Sequence, residues 1–130
     1  MQIRSFELKD SDRIVEILKA NQQYGHPEID GPEAMRRVFE CKAAEFLVAE
    51  DEGQIVGMIR GVFDGSRAII YIASVHPGQQ RKGVGRALVR AIAQLFVAGP
   101  PVVRHAMGYD VTKEDLGDWR IHCRNGSVDN

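Results

Sequence analysis

Cysteine is scarce in this chain. Of 130 residues only Cys41 and Cys123 carry a thiol, they lie far apart, and they form no CxxC pair. That excludes a disulfide framework and a cysteine-based zinc site, and no metal ligand set is predicted; both thiols read as reduced fillers. Charge of one sign is lacking too: 17 Lys+Arg against 18 Asp+Glu leave a formal net charge of -1. Such a balance sets up no field that gathers nucleic acid or an anionic membrane. No apolar run approaches the roughly 20 residues that cross a bilayer, and Met1-Gln2-Ile3-Arg4 lacks a signal-peptide core, so a soluble cytoplasmic protein is expected. Internal repeats, low-complexity tracts and linkers are also absent, and residues 1–130 read as one domain able to bury its own core.

What is present alternates between strands and helices. Gln2 to Phe6 reads as a short first strand, and Asp10 or Ser11 as the cap of a helix with Ile14, Val15, Ile17 and Leu18 on one face. Asn21 through Pro32 is rich in Gly, Pro, Asn and Gln and favours irregular backbone; Pro32 then suits the first turn of a helix bearing Met35, Val38 and Phe39. Phe46 to Asp51 and Gln54 to Phe63 form two strands around a tight Glu52-Gly53 turn, and Asp64-Gly65 turns the second into a strand from Ala68 to His76. The result is an antiparallel meander. Val84, Ala87, Leu88, Ala91, Ile92, Leu95 and Phe96 recur at steps of three and four opposite Arg86, Arg90 and Gln94, which marks the most regular helix.

Between that last strand and that helix runs Val75-His76-Pro77-Gly78-Gln79-Gln80-Arg81-Lys82-Gly83-Val84-Gly85-Arg86-Ala87. A helix N-terminus collects unpaired N–H groups and a partial positive charge, and glycines keep side chains clear, so the segment has the make-up of an anion cradle. A P-loop is excluded, because Val84-Gly85 follow Gly83 where Lys and Ser/Thr are required. A dinucleotide fingerprint is excluded as well: position 88 is Leu, and no acid occurs between Arg86 and Tyr109. What remains is Gln80-x-x-Gly83-x-Gly85-x-Ala87 directly after Val-His-Pro. It closely resembles the acetyl-CoA signature of the GNAT superfamily of N-acetyltransferases, Gln/Arg-x-x-Gly-x-Gly/Ala. The likeness extends over Ile3-Arg4, Asp10, Phe46 to Glu50, Gly53 to Gly57, Asp64-Gly65 and Tyr71 to Leu88, and looks like the small bacterial YpeA-type branch up to about residue 98.

The resemblance implies an α/β GNAT (acyl-CoA N-acyltransferase) fold, a mixed, mostly antiparallel sheet flanked by helices, and direct acetyl transfer from acetyl-CoA to a primary amine, small-molecule or peptide. It implies that backbone groups around Ala73 and Val75 take pantetheine. The pyrophosphate then falls to Gln80, Arg81, Lys82, Gly83, Val84, Gly85, Arg86 and Ala87, and the helix–loop–helix near the N-terminus borders the acceptor. Many relatives carry a glutamate on the central strands; Ala68 to Val75 offers none. The polar groups there give Tyr71 and His76 as catalytic candidates. Each also has a plain structural reading, Tyr71 as a core ring with a satisfied hydroxyl and His76 as a strand end.

Beyond residue 98 the likeness breaks. The tyrosine often proposed as general acid in relatives falls on Arg104 if Gly108-Tyr109 is the matching pair, His105 is its neighbour, and only Val102-Val103 is available for a fifth strand. A short strand at Val102 to His105, a strand donated by a second subunit in a homodimer, and an altered C-terminus with a weakened cofactor site are the alternatives. Thr112 with Asp115 reads as a capped short helix, Trp119 to Cys123 as a last strand and Arg124 to Asn130 as a frayed tail. Two other functions stay open: a catalytically weak CoA-binding or regulatory protein, and a small interaction scaffold using its meander edge.

Overall fold

The architecture comes from a computed structural model that describes residues 1–98 and 121–123. Strand β1, Gln2–Ser5, pairs antiparallel with β2, Ala44–Asp51; β2 pairs with β3, Gln54–Phe63, and β3 with β4, Ala68–Val75, all antiparallel. A short β5, Ile121–Cys123, lies parallel to β4, so the sheet order is β1-β2-β3-β4-β5. Helices are α1 (Ser11–Ala20), α2 (Pro27–Asp30), α3 (Pro32–Glu40) and α4 (Val84–Ala98).

The meander turns follow their chemistry. Glu52 and Gly53 both have positive φ, 51° and 77°, as a two-residue hairpin turn with the strands' own twist demands. At the next turn the Asp64 carboxylate accepts from the N–H groups of Ser66 and Arg67, each at 2.8 Å, beside Gly65 at φ 96°.

Each face of the sheet buries its own core. Leu47, Ala49, Val56, Ile59, Ala68, Ile70, Ala73 and Val75 pack under the α4 stripe of Val84, Leu88, Ile92 and Phe96. On the other face Phe46, Val48, Ile55, Met58 and Ile72 meet Phe6, Met35 of α3, and Ile14, Ile17 and Leu18 of α1. Full burial of such side chains contributes roughly 1.5–3 kcal/mol each.

Several expectations need correction. Asp10 precedes α1 but forms no side-chain cap on it. Its carboxylate is instead buried, accepting from the Glu7 N–H at 2.8 Å and from two Arg4 nitrogens at 2.9 and 3.0 Å. The supposedly irregular stretch before Pro32 contains α2, whose last residue abuts Gly31; a Cβ there would stand 2.6 Å from the Pro27 carbonyl oxygen. Phe39 is half exposed, although its ring meets Phe6 edge-on. The strand beside β4 is Ile121–Cys123 of the same chain, inside the segment predicted as a last strand. The expectations for Val102 to His105, Arg104, Gly108-Tyr109, Thr112 with Asp115, and Arg124 to Asn130 lie outside the described residues.

Candidate functional site

β4 changes character at Tyr71. Ile72 is opposite Arg60 and Ile70 is opposite Gly61, so the register shifts by one residue at Tyr71. One inserted residue flips the side-chain parity of a strand. Ile70 and Ala73 both enter the α4-side core, where an unbulged strand would send them to opposite faces. Gly61 is what allows the bulge, since a Cβ there would run into the Ile69 carbonyl oxygen. That glycine inside a strand run was the available sequence signal, and the reading of an uninterrupted strand missed it.

Above the bulge the strand's outer edge is exposed to a different environment. The His76 N–H donates to the Val56 carbonyl at 2.8 Å, so His76 and Ser74 address β3 while Ala73 and Val75 turn their backbone groups outward. Parallel pairing with β5 covers only Ala68 to Ile70; among the described residues no strand lies beside Tyr71–Val75. Side-chain amides lie there instead. Gln23 Nε2 donates to the Ala73 carbonyl at 3.3 Å, Asn21 Nδ2 to the Val75 carbonyl at 2.8 Å and to Ser74 Oγ at 2.8 Å. Gln80 Nε2 donates to the same Val75 carbonyl at 3.0 Å and to Asn21 Oδ1 at 3.3 Å. Asn21 and Gln23 are aimed by the end of α1, where the Gln23 N–H reaches Leu18 O at 2.8 Å, the Gln22 N–H reaches Lys19 O at 3.1 Å, and Gln22 takes φ 55°. The sequence places these residues in a polar loop that the resemblance sets beside the acceptor, and it assigns neither of them a part in the cofactor edge.

The strand then runs into the cradle. Pro77 to Gln79 form a single 3-10 turn, closed by the Gln79 N–H donating to His76 O at 2.8 Å and capped by the Gly78 N–H donating to His76 Nδ1 at 3.1 Å. That bond commits Nδ1 of His76 as an acceptor, so in the neutral ring Nε2 carries the hydrogen and donates. Arg81 and Gly83 adopt left-handed backbone, φ 64° and 87°, and Gly83 passes directly into right-handed Val84. Alternation of that kind turns successive N–H groups to one side and forms an anion-binding concavity. The first N–H of α4 used within the helix is that of Ala87, to Gly83 O at 3.0 Å; those ahead of it lie at the positive end of the helix dipole. A Cβ placed on Gly83 would meet no heavy atom within 4 Å, so the concavity is open. Arg81, Lys82 and Arg86 are exposed around it, whereas Val84 and Gly85 are buried. The predicted residues from Ala73 to Ala87 thus follow one another along the end of β4, the loop and the start of α4, with the Gln80 amide turned back to the Val75 carbonyl.

Gly57 holds the helix end close to the sheet: a Cβ there would lie 3.2 Å from Leu88 Cδ1, Val84 Cγ1 and Ser74 O. Burial pushes the Glu45 carboxyl up. Glu45 stands opposite Gly61 in β2, two strands in from the β4 edge, roughly 10 Å at the usual strand spacing. It is therefore out of direct reach of a ligand on that edge.

The family model for the GNAT acetyltransferase family matches residues 11–100, more than half of the chain. The chain belongs to the GNAT family of acetyltransferases. Acetyl-CoA is the cosubstrate of that family. Solved structures with the same fold include the PaiA N-acetyltransferase of Thermoplasma acidophilum in complex with coenzyme A, at 15% identity and TM-score 0.62, covering 82% of this chain and 73% of that one. The ribosomal-protein-S18-alanine N-acetyltransferase of Escherichia coli is similar at 17% identity and TM-score 0.62, over 74% of this chain but only 59% of the other. An aminoglycoside antibiotic 6'-N-acetyltransferase of Acinetobacter haemolyticus gives 20% identity and TM-score 0.61, over 87% of this chain and 93% of that chain. Among the described residues of this GNAT domain no helix is long and apolar enough to cross a membrane.

Proposed function

We propose that this GNAT domain binds acetyl-CoA along β4 and the cradle and transfers the acetyl group to a primary amine on a small molecule or peptide. The observation that carries the reading is the continuity of the outward edge above Tyr71 with the left-handed loop and the leading N–H groups of α4. An edge of backbone groups suits the amides of pantetheine, and the cradle suits a pyrophosphate. Gly83, Val84, Gly85, Arg86 and Ala87 present the helix end, Gln80 the loop's backbone, and Arg81 and Lys82 add positive charge at its rim.

In the reaction an amine lone pair attacks the thioester carbonyl carbon, the C–S bond breaks, and the nitrogen's proton leaves while the thiolate gains one. Tyr71, at the bulge, is the first candidate to handle a proton or order a water. His76, whose Nε2–H can donate a hydrogen bond while Nδ1 accepts from Gly78, is the second candidate. A cytoplasmic setting and reduced thiols fit the free, exposed Cys41. Pairing of two copies would cover the sheet edge, and a monomeric mass at micromolar concentration would exclude it.

A second reading is favoured by one observation: no carboxylate occurs on β4 from Ala68 to Val75. It makes the protein a CoA binder with weak turnover. Titration with acetyl-CoA and CoA, followed by thiol release from acetyl-CoA across a panel of amines, separates the two. Saturable binding with amine-dependent release supports transfer; binding without release supports the second reading; no binding by folded protein removes both. If Tyr71 handles the proton, Tyr71→Phe lowers kcat about 100-fold with CoA affinity intact, in the range of general acid–base assistance. His76→Ala altering only the melting temperature would leave His76 a structural role.

A further inference from the structure

The amides around Val75 form a closed ring. Both lone pairs of the Val75 carbonyl are taken, by Asn21 Nδ2 at 2.8 Å and Gln80 Nε2 at 3.0 Å, and the ring closes through Gln80 Nε2 to Asn21 Oδ1 at 3.3 Å. The second hydrogen of the Asn21 amide goes to the buried Ser74 hydroxyl at 2.8 Å. Every amide hydrogen of the two side chains is therefore used. Reversing either amide would set an oxygen against the Val75 oxygen, so the network fixes both orientations. Three separate segments meet in it: the end of α1, the end of β4 and the first residue of the loop that leads through Arg81 to Gly83.

The ring has two consequences for a ligand on this edge. The Val75 carbonyl has no capacity left to accept from an incoming amide, so a bound pantetheine meets β4 at Val75 through other groups. The loop ahead of α4, moreover, is tied to β4 by the Gln80 side chain, and Gln80 is in turn held by Asn21.

Resting on the acetyl-CoA reading above, we propose that Asn21 is a positioning residue for the cofactor site: clasped with Gln80 around the Val75 carbonyl, it sets where the cradle loop stands relative to the β4 edge. Asn21 touches no reacting atom in this role; it acts through Gln80 and Val75.

The test is calorimetric titration of the full chain with CoA, comparing wild type, Asn21→Ala, Gln80→Ala and the double variant, with thermal unfolding of each in the presence and absence of CoA. Each single substitution should weaken CoA binding about three- to tenfold, the weight of one or two neutral hydrogen bonds. Because the two amides act as one clasp, the double variant should be little worse than the weaker single one. The rise in melting temperature on adding CoA should shrink in Asn21→Ala, whereas a merely structural role lowers the melting temperature equally with and without CoA. Should Asn21→Ala not fold, Asn21→Ser keeps one donor and should fall between wild type and Gln80→Ala. Wild-type CoA affinity in folded Asn21→Ala or Asn21→Ser, or losses that simply add in the double variant, would overturn the proposal while leaving the cofactor reading standing. Failure of the wild type to bind CoA would overturn the cofactor reading and this role with it.

Discussion

At the β1 edge of the sheet, Arg4 donates to both oxygens of buried Asp10, at 2.9 and 3.0 Å, and reaches Glu50 Oε1 at 3.2 Å. At the upper part of the β4 edge the neutral amides of Asn21, Gln23 and Gln80 are the side chains hydrogen-bonded to the strand among the described residues. Both arrangements satisfy outward-facing groups, but their energetics differ. An ion pair with one buried partner is costly to break from one side, because the charge left behind has no compensation. Neutral amide bonds are worth about 1 kcal/mol each, and losing one leaves no buried charge behind. One side of the sheet is thus held by charged groups and the other by neutral amides, and the neutral side leads into the cradle of α4.

The sharpest way to break this contrast is at the ionic edge. Asp10→Asn leaves Arg4 with Glu50 and the more exposed Glu7, and should cost about 3 kcal/mol of stability by urea unfolding, with CoA affinity changed less than twofold. The same carboxyl makes the edge sensitive to acid. Burial alone pushes Asp10 up, but the Arg4 guanidinium and the Glu7 N–H outweigh it and hold the carboxyl below its ordinary range. A depressed folded value means that the unfolded chain takes up the proton first. Its contribution is therefore complete above about pH 4 and is lost as the pH falls through the folded value. Wild-type stability should decline over that acid range, and Asp10→Asn should flatten the decline. A CoA affinity that fell together with stability in Asp10→Asn would show the two edges to be coupled.

At the cradle the expected effect is on binding. Gly83 has φ 87° and open space around its missing Cβ, so a substitution there meets backbone strain without a steric clash. Gly83→Ala measures that strain alone. Gly83→Glu adds a carboxylate where the helix dipole and exposed Arg81 and Lys82 favour an anion, and should weaken CoA about 100-fold by calorimetry, several times more than Gly83→Ala. Equal losses in the two variants would mean that strain, not charge, governs the loop.

The two edges also differed in how far they could be read beforehand. The cradle is written in local terms: glycines at fixed offsets, a Pro after a β-branched run, and a 3.6-residue stripe from Val84 to Phe96 all survive in a single sequence. The hairpin turns at Glu52-Gly53 and Asp64-Gly65 are local in the same way. The β4 edge is not. An extra residue at Tyr71 leaves no trace in the apolar run Ile69 to Ala73, because every neighbour is apolar on either face. Asn21 and Gln23 gain meaning only when the end of α1 brings them against residues some 50 positions later. Asp10 misled for a related reason: a carboxylate ahead of a helix usually caps it, but Arg4 and the Glu7 N–H competed for it and won.

The smallest expected effect tests how tightly the two halves of the site are joined. Gly57 lies between the end of β4 and the first turn of α4, and an added methyl would sit 3.2 Å from Ser74 O, Val84 Cγ1 and Leu88 Cδ1. Two of those atoms belong to side chains that can give by a few tenths of an ångström, while the carbonyl is held in the sheet. Gly57→Ala should therefore push the start of α4 away from the strand, at about 1 kcal/mol of stability, the lower end of overpacking costs. If the edge and the helix end are one binding surface, that displacement reaches the ligand, and CoA affinity should fall about threefold despite the substitution lying on the far side of the strand. If instead the loop from Gln80 to Gly83 absorbs the shift, stability drops and affinity does not. The cradle would then be held by the Asn21–Gln80 clasp rather than by packing beneath it.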